Sequence, residues 1–176
     1  MAETVRTATT HDAGKLAELA AITFPLACPP GSSPEDIEAH VERNLSEGNF
    51  KEYLADANIT VLVLDDAGEF RGYTMLVAKR TSNHDVASVL TAHPATELSK
   101  CYVHPDHHGK GAAARLMRAS LANAADKGAS VVWLGVNSEN AKAIRFYEKS
   151  GFRKVGTKSF RLGNTVEHDF VMEHEL

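Results

Sequence analysis

The sequence predicts a single α/β domain of the mixed, α+β kind, and three observations carry that reading. Helix-like periodicity alternates with strand-like runs from one end of the chain to the other. Two β-branched or apolar runs, 59–64 and 70–78, flank the turn Asp65-Asp-Ala-Gly68, which reads as an antiparallel hairpin. Further on, a helical pattern separates two more apolar runs, 97–103 and 131–136. The second shows no polar alternation, as expected of a strand buried on both faces. With 176 residues the chain is long enough for one independent core, so residues 1–176 are read as one domain.

In order, residues 4–9 alternate as a short strand. Thr10-His-Asp12 offers capping side chains, and Leu16, Leu19, Ala20 and Thr23 then recur at helical spacing, which predicts a helix over 11–24. The stretch 24–34 holds four prolines and a glycine and reads as a loop. Ser33-Pro-Glu-Asp36 opens a second helix to about residue 47, with Ile37, Val41 and Leu45 inward, and 50–55 is a short turn. After the hairpin, residues 80–93 are polar and read as a mobile connection. The strand 97–103 leads into a helix over 109–127, with Ala113, Leu116, Met117, Leu121 and Ala124 on one stripe and Gly128 to end it. The strand 131–136 is followed by a helix over 140–149 that closes at Gly151, and 152–155 and 166–172 are final antiparallel strands.

Apolar residues make up 43% of the chain and charged residues 24%, ordinary for a globular protein. A net charge of −4 argues against a nucleic-acid or anionic-membrane partner, both of which need a basic face. Two cysteines, Cys28 and Cys101, are too few for a disulfide framework. No apolar run is long enough for a membrane span, and the N-terminus lacks a signal segment. A cytoplasmic setting is the expectation.

The stretch with most chemistry is His104-Pro-Asp-His-His-Gly-Lys-Gly-Ala-Ala-Ala-Arg-Leu-Met117. His104, His107 and His108 suggest a metal at first sight, but two are adjacent and no further ligand pair completes a set, so no metal is expected. A phosphate loop of the Walker type fails because Gly111, not Ser or Thr, follows Lys110. A dinucleotide fingerprint is met only literally by Gly109 to Ala114, since Asp126 falls at the end of the helix rather than after a second strand. What remains is physical. Gly109 and Gly111 free successive backbone N–H groups, and the helix behind them adds its positive end, which together make a seat for a pyrophosphate. A tight strand-to-helix turn of small residues is the plainer alternative.

A second block resolves that choice by resemblance. His108-Gly-Lys-Gly-Ala-Ala113 is similar to the [Arg/Gln]-x-x-Gly-x-[Gly/Ala] signature of the GNAT superfamily of acyl-CoA-dependent N-acyltransferases. Trp133-Leu-Gly-Val-Asn137-Ser-Glu-Asn140-Ala-Lys-Ala-Ile-Arg-Phe146-Tyr147-Glu-Lys-Ser-Gly151-Phe152 resembles its second block. The N-terminal Ala8 to Ala13 and the Gly72-Tyr73 hairpin fit as well. The resemblance implies the GNAT fold: a central, mostly antiparallel sheet flanked by helices, with a parallel pair, 97–103 and 131–136, that splays apart. One departure stands out, because His108 occupies the place of the usual Arg or Gln and makes cofactor affinity pH-sensitive.

The chemistry that follows from the resemblance is acetyl transfer from acetyl-CoA to a primary amine by direct attack in a ternary complex, with no metal. The amides of 109 to 114 would hold the pyrophosphate, drawing on Gly109, Gly111, Ala112 and Ala113, with His108 and Lys110 as side-chain donors. The backbone of Cys101 and Val103 would pair with the pantetheine arm, with Tyr102 between them also in the cofactor site, and Asn137 and Asn140 would bond to the arm. Tyr147 is the expected general acid toward the departing sulfur, beside the cofactor, because a phenol can protonate a thiolate. Glu97 is the expected base for the amine, with His104 as alternative.

For the acceptor, the tail from Thr157 to Met172, with Ser-Phe160, Gly163, Asp169 and Met172, resembles the bacterial spermidine/spermine N-acetyltransferase branch. A polyamine is therefore the first expectation, with Asp36, Glu38, Glu97 and Asp169 as its acidic pocket. Other acceptors are an aminoglycoside-like antibiotic, an amino acid or a protein N-terminus. A non-catalytic acyl-CoA-binding module is the competing class. The resemblance leaves room for a homodimer.

Overall fold

A computed structural model describes residues 3–176, apart from the Phe160 side chain. Seven strands form one sheet in the order β1-β2-β3-β4-β5-β7-β6. These are β1 Glu3–Thr7, β2 Ile59–Asp66, β3 Glu69–Val77, β4 Ala95–Val103, β5 Val131–Asn137, β6 Arg153–Leu162 and β7 Thr165–Glu175. Every neighbouring pair is antiparallel except β4 and β5.

The helices are α1 Ala13–Ala27, α2 Pro34–Asn44, α3 Glu47–Ala55, the single turn α4 His84–Ala87, α5 Ala112–Asp126 and α6 Ala141–Lys149. On one face α1 and α3 cover Val61, Val63, Tyr73 and Met75. On the other, α5 and α6 cover Leu76, Leu98, Val132 and Leu134. The sheet is thus buried on both faces, which is why β5 carries no polar alternation.

Several expected boundaries move, each for a local reason. The first helix does not end at 24 but runs to Ala27, because Pro25 sits in the last turn and forfeits only one backbone bond there. The second predicted helix is two. Ser46 caps a new one by accepting the Asn49 amide at 3.1 Å while Asn49 Oδ1 accepts the Ser46 amide at 3.0 Å, so 50–55 is helix rather than turn. The connection 80–93 contains α4, whose Val86 is fully buried against Trp133 and Val171. Glu173, itself buried, accepts the Thr91 amide at 2.8 Å and ties the same segment down. The helix expected from 109 starts at Ala112, and the last two strands form a hairpin much longer than the runs that announced it.

Two features of β4 position the site. It pairs with β5 only through Ala95↔Val131, Thr96↔Val132 and Glu97↔Trp133, and the strands then diverge. On its other side Met75 faces Lys100 but Leu76 faces Leu98, so Ser99 is an extra residue, a β-bulge. The bulge reverses side-chain parity, and Glu97, Lys100 and Tyr102 share the face under α1 and α3.

Candidate active site

The divergence of β4 and β5 opens a cleft, and its floor is polar backbone. The His104 amide donates to the Arg71 carbonyl at 2.8 Å, so residues 104 and 102 aim their backbone groups at β3. Cys101 and Val103 therefore aim theirs into the cleft, where no strand meets them. Tyr102, between them, turns its backbone to β3 and presents its side chain to the cleft.

A cavity of about 540 Å³ occupies this cleft. Its walls are Cys101, Tyr102 and Val103 of β4, His107, His108, Gly109 and Gly111 of the following loop, the first residues of α5, and Asn140, Lys142, Phe146 and Tyr147 from β5–α6. Gly109 and Gly111 both have φ of +78°, a region costly for any residue with a Cβ, and a Cβ at either would meet open space. The loop thus presents backbone toward the cavity at the N-terminus of α5, where the leading amides lack intrahelical partners. These are the fit requirements of a pyrophosphate, met by observed geometry. Lys110 is exposed on the loop and does not reach the cavity wall.

His108 lines the cavity, and one of its ring nitrogens is engaged within the chain. Its Nε2 lies 2.8 Å from the Val103 carbonyl, which can only accept, so the ring donates and ties the loop to the end of β4. The other histidines serve the same turn. His104 Nδ1 accepts the Asp106 amide at 3.1 Å, and His107 Nε2 lies 3.6 Å from Glu69 Oε1. Among the described residues no group of three or more metal-binding side chains converges. His104 lines neither the cleft nor the cavity described next.

Tyr147 stands on α6, packed edge-on against Phe152 with ring centroids 5.9 Å apart. Burial holds its phenol well above the ordinary tyrosine value, so it stays protonated. Cys101 faces the same cavity, and burial pushes its thiol up to about 12, which denies it the thiolate form of a nucleophile. Asn140 caps α6 by accepting the Ala143 amide at 3.2 Å, leaving its Nδ2 to donate elsewhere. Asn137 Oδ1 accepts the Glu139 amide at 2.9 Å, and its side chain borders a neighbouring cavity rather than the cleft.

That second cavity, about 340 Å³, lies across β4 under α1, α2 and α3, and the two share Ala27 and Tyr102 as wall. Glu97 and Asp169 line it, as expected of a pocket for an amine, but Asp36 and Glu38 do not. Asp36 instead abuts Gly163 in the β6–β7 turn. Two residues that sequence reading missed also line it, Lys100 and Lys158. Lys158 pairs with Asp169 at 3.4 Å and lies over Gly135, where a Cβ would come within 2.4 Å of its Cε. Their signal was a cross-strand pairing, Lys158↔Asp169, visible only once the hairpin register is known. Burial raises Glu97 above the ordinary carboxylate value and lowers Lys100 below the ordinary ammonium value.

A splayed parallel pair, a glycine turn at a helix N-terminus and a protonated phenol beside the cleft define an acyl-CoA-binding fold of the N-acyltransferase class. The model of the acetyltransferase (GNAT) family matches residues 18–152, and the chain belongs to that family. An uncharacterized N-acetyltransferase of Mycobacterium tuberculosis is 50% identical over 165 residues, 94% of this chain and 98% of the relative. Among solved structures, the PaiA N-acetyltransferase of Thermoplasma acidophilum in complex with coenzyme A superposes with a TM-score of 0.79 at 20% identity, covering both chains fully. YncA, a putative acetyltransferase from Salmonella typhimurium with its cofactor acetyl-CoA, gives 0.67 at 23% identity, over 99% of this chain and 94% of that one. The chain is an acetyltransferase of this fold, and no helix among the described residues is long and apolar enough to cross a membrane.

Proposed function

We propose that the protein transfers the acetyl group of acetyl-CoA to the primary amine of a small molecule, by direct attack within a ternary complex. The observation that carries this is the meeting of two cavities at Tyr102 and Ala27, one shaped for the cofactor and the other lined by charge. Gly109, Gly111 and the first amides of α5 seat the pyrophosphate. The outward backbone of Cys101 and the amide of Val103 receive the pantetheine arm, with Asn140 Nδ2 as a further donor and His108 holding the loop to β4 through the Val103 carbonyl.

Acetyl-CoA supplies an activated acetyl thioester. Glu97, with its raised pKa, takes the proton that an alkylammonium must lose before its nitrogen can attack. An N–C bond forms as the C–S bond breaks, and Tyr147 delivers a proton to the departing sulfur. The elevated Cys101 thiol argues for direct transfer over an acetylated enzyme.

A polyamine, the first acceptor suggested by the tail, needs a net acidic pocket. Glu97 and Asp169 support it, but Lys100 and Lys158 balance them, so the reading narrows to a small primary amine in general. The free thiols agree with a cytoplasmic, reducing setting. The test is a thiol-release assay with acetyl-CoA and a panel of spermidine, amino acids, an aminoglycoside and short peptides, with products confirmed by mass. Acetylation of at least one small amine is expected. Coenzyme A binding without transfer to any of them would make the protein a binding module instead.

A further inference from the structure

The acceptor cavity holds an unusual separation of charge. Glu97 and Lys100 lie on one face of β4 because of the bulge at Ser99, and both line the cavity. Neither has an ion-pair partner within 4 Å among the described residues. Lys100 Nζ has only the Ser99 hydroxyl at 3.3 Å and the face of the Tyr53 ring, 5.6 Å from its centroid. Glu97 and Lys100 attract each other at longer range, and Lys158 acts on Glu97 as well, but desolvation outweighs these attractions, and half-buried charges held this way are costly unless something completes them. Asp169 and Lys158, 3.4 Å apart, already neutralise each other on the far wall.

A polycation does not complete this arrangement, since it would meet Lys100 with like charge. A molecule carrying an amine and an acid a few bonds apart does: its ammonium faces Glu97, its acid group faces Lys100. The cavity of about 340 Å³ is at the small end of ligand pockets, in keeping with a compact zwitterion. We infer that the acceptor is an amine bearing its own carboxylate, of the α-amino acid class, with Lys100 as the residue that recognises the carboxylate. This rests on the acetyltransferase reading above and narrows it.

The test needs no variant at its first step. The twenty protein amino acids are assayed with acetyl-CoA, and the best is compared with its carboxamide, its decarboxylated amine and spermidine. The acid is expected to exceed each of the others in kcat/KM by about tenfold or more, the discrimination lost with one charge-assisted hydrogen bond. In Lys100→Gln that ratio should contract toward one. Equal or better turnover of the carboxamide, the decarboxylated amine or spermidine overturns the inference, as does a ratio unmoved by Lys100→Gln. If no amine is acetylated, equilibrium dialysis of the labelled amino acids against the complex with coenzyme A separates the two claims. Tighter binding than of their carboxamides keeps this inference while acetyl transfer falls. Equal binding overturns both.

Discussion

The two cavities that meet at Tyr102 are built by opposite means. The cofactor cleft is made largely of backbone: the cleft-facing groups of Cys101 and the amide of Val103, two glycines at φ +78°, and the leading amides of α5. The acceptor cavity is made of side-chain charge, brought together from β4, β6 and β7. Backbone suits the parts of the proposed cofactor that are the same in every acyl-CoA, its pyrophosphate and amide-bearing arm. Side chains can be exchanged one at a time without disturbing the fold, so the selective half of the molecule is the half that depends on them.

The sharpest challenge to this division falls at its border. Tyr147→Phe should lower kcat by about 100-fold while leaving the Kd for coenzyme A little changed, since only proton delivery is removed. Stopped-flow turnover with parallel calorimetry measures both, and equal turnover in mutant and wild type would remove the general-acid role. Next in size, Glu97→Gln should lower kcat/KM at neutral pH by about tenfold. Burial favours the protonated carboxyl, so the wild-type base form is lost, as pH falls, above the ordinary carboxylate range. In the variant the amine must lose its own proton, and the pH optimum moves upward toward the pKa of an alkylamine. An identical pH profile would place the base elsewhere.

The smallest effect is expected on the backbone side. Gly111→Ala has room for its methyl but must hold a left-handed conformation, at a cost of about 1 kcal/mol. Weaker binding of coenzyme A by about fivefold follows, with a smaller change in the KM of the acceptor. If the acceptor parameter moved more, the two cavities would not be separable in the way their construction suggests.

What could be read from sequence follows the same division. Gly109, Gly111, Asn140 and Tyr147 sit in two contiguous blocks that resemble the family's, and it is that resemblance that places them on one cleft. The hairpin at 59–78 and the doubly buried β5 were likewise local patterns. Lys100 and Lys158 carried no such signal. The first is aimed by a bulge that no residue at Ser99 announces, and the second by a register set through packing of a long hairpin. His108 has a further role that residue type does not announce, because chain geometry gives its Nε2–H to Val103.

The extra residue at Ser99 makes the identity of the acceptor pocket a matter of counting. Upstream of it, odd-numbered positions of β4 look toward α1 and α3; downstream, even-numbered ones do. Straightening the bulge with no residue lost would set Leu76 opposite Ser99 and Val77 opposite Leu98, exchanging the roles of Glu97 and Leu98 without altering either, turning a charged wall greasy and burying a carboxylate in the layer beneath α5. The charge of that wall is thus set partly by register, which is as decisive there as residue type.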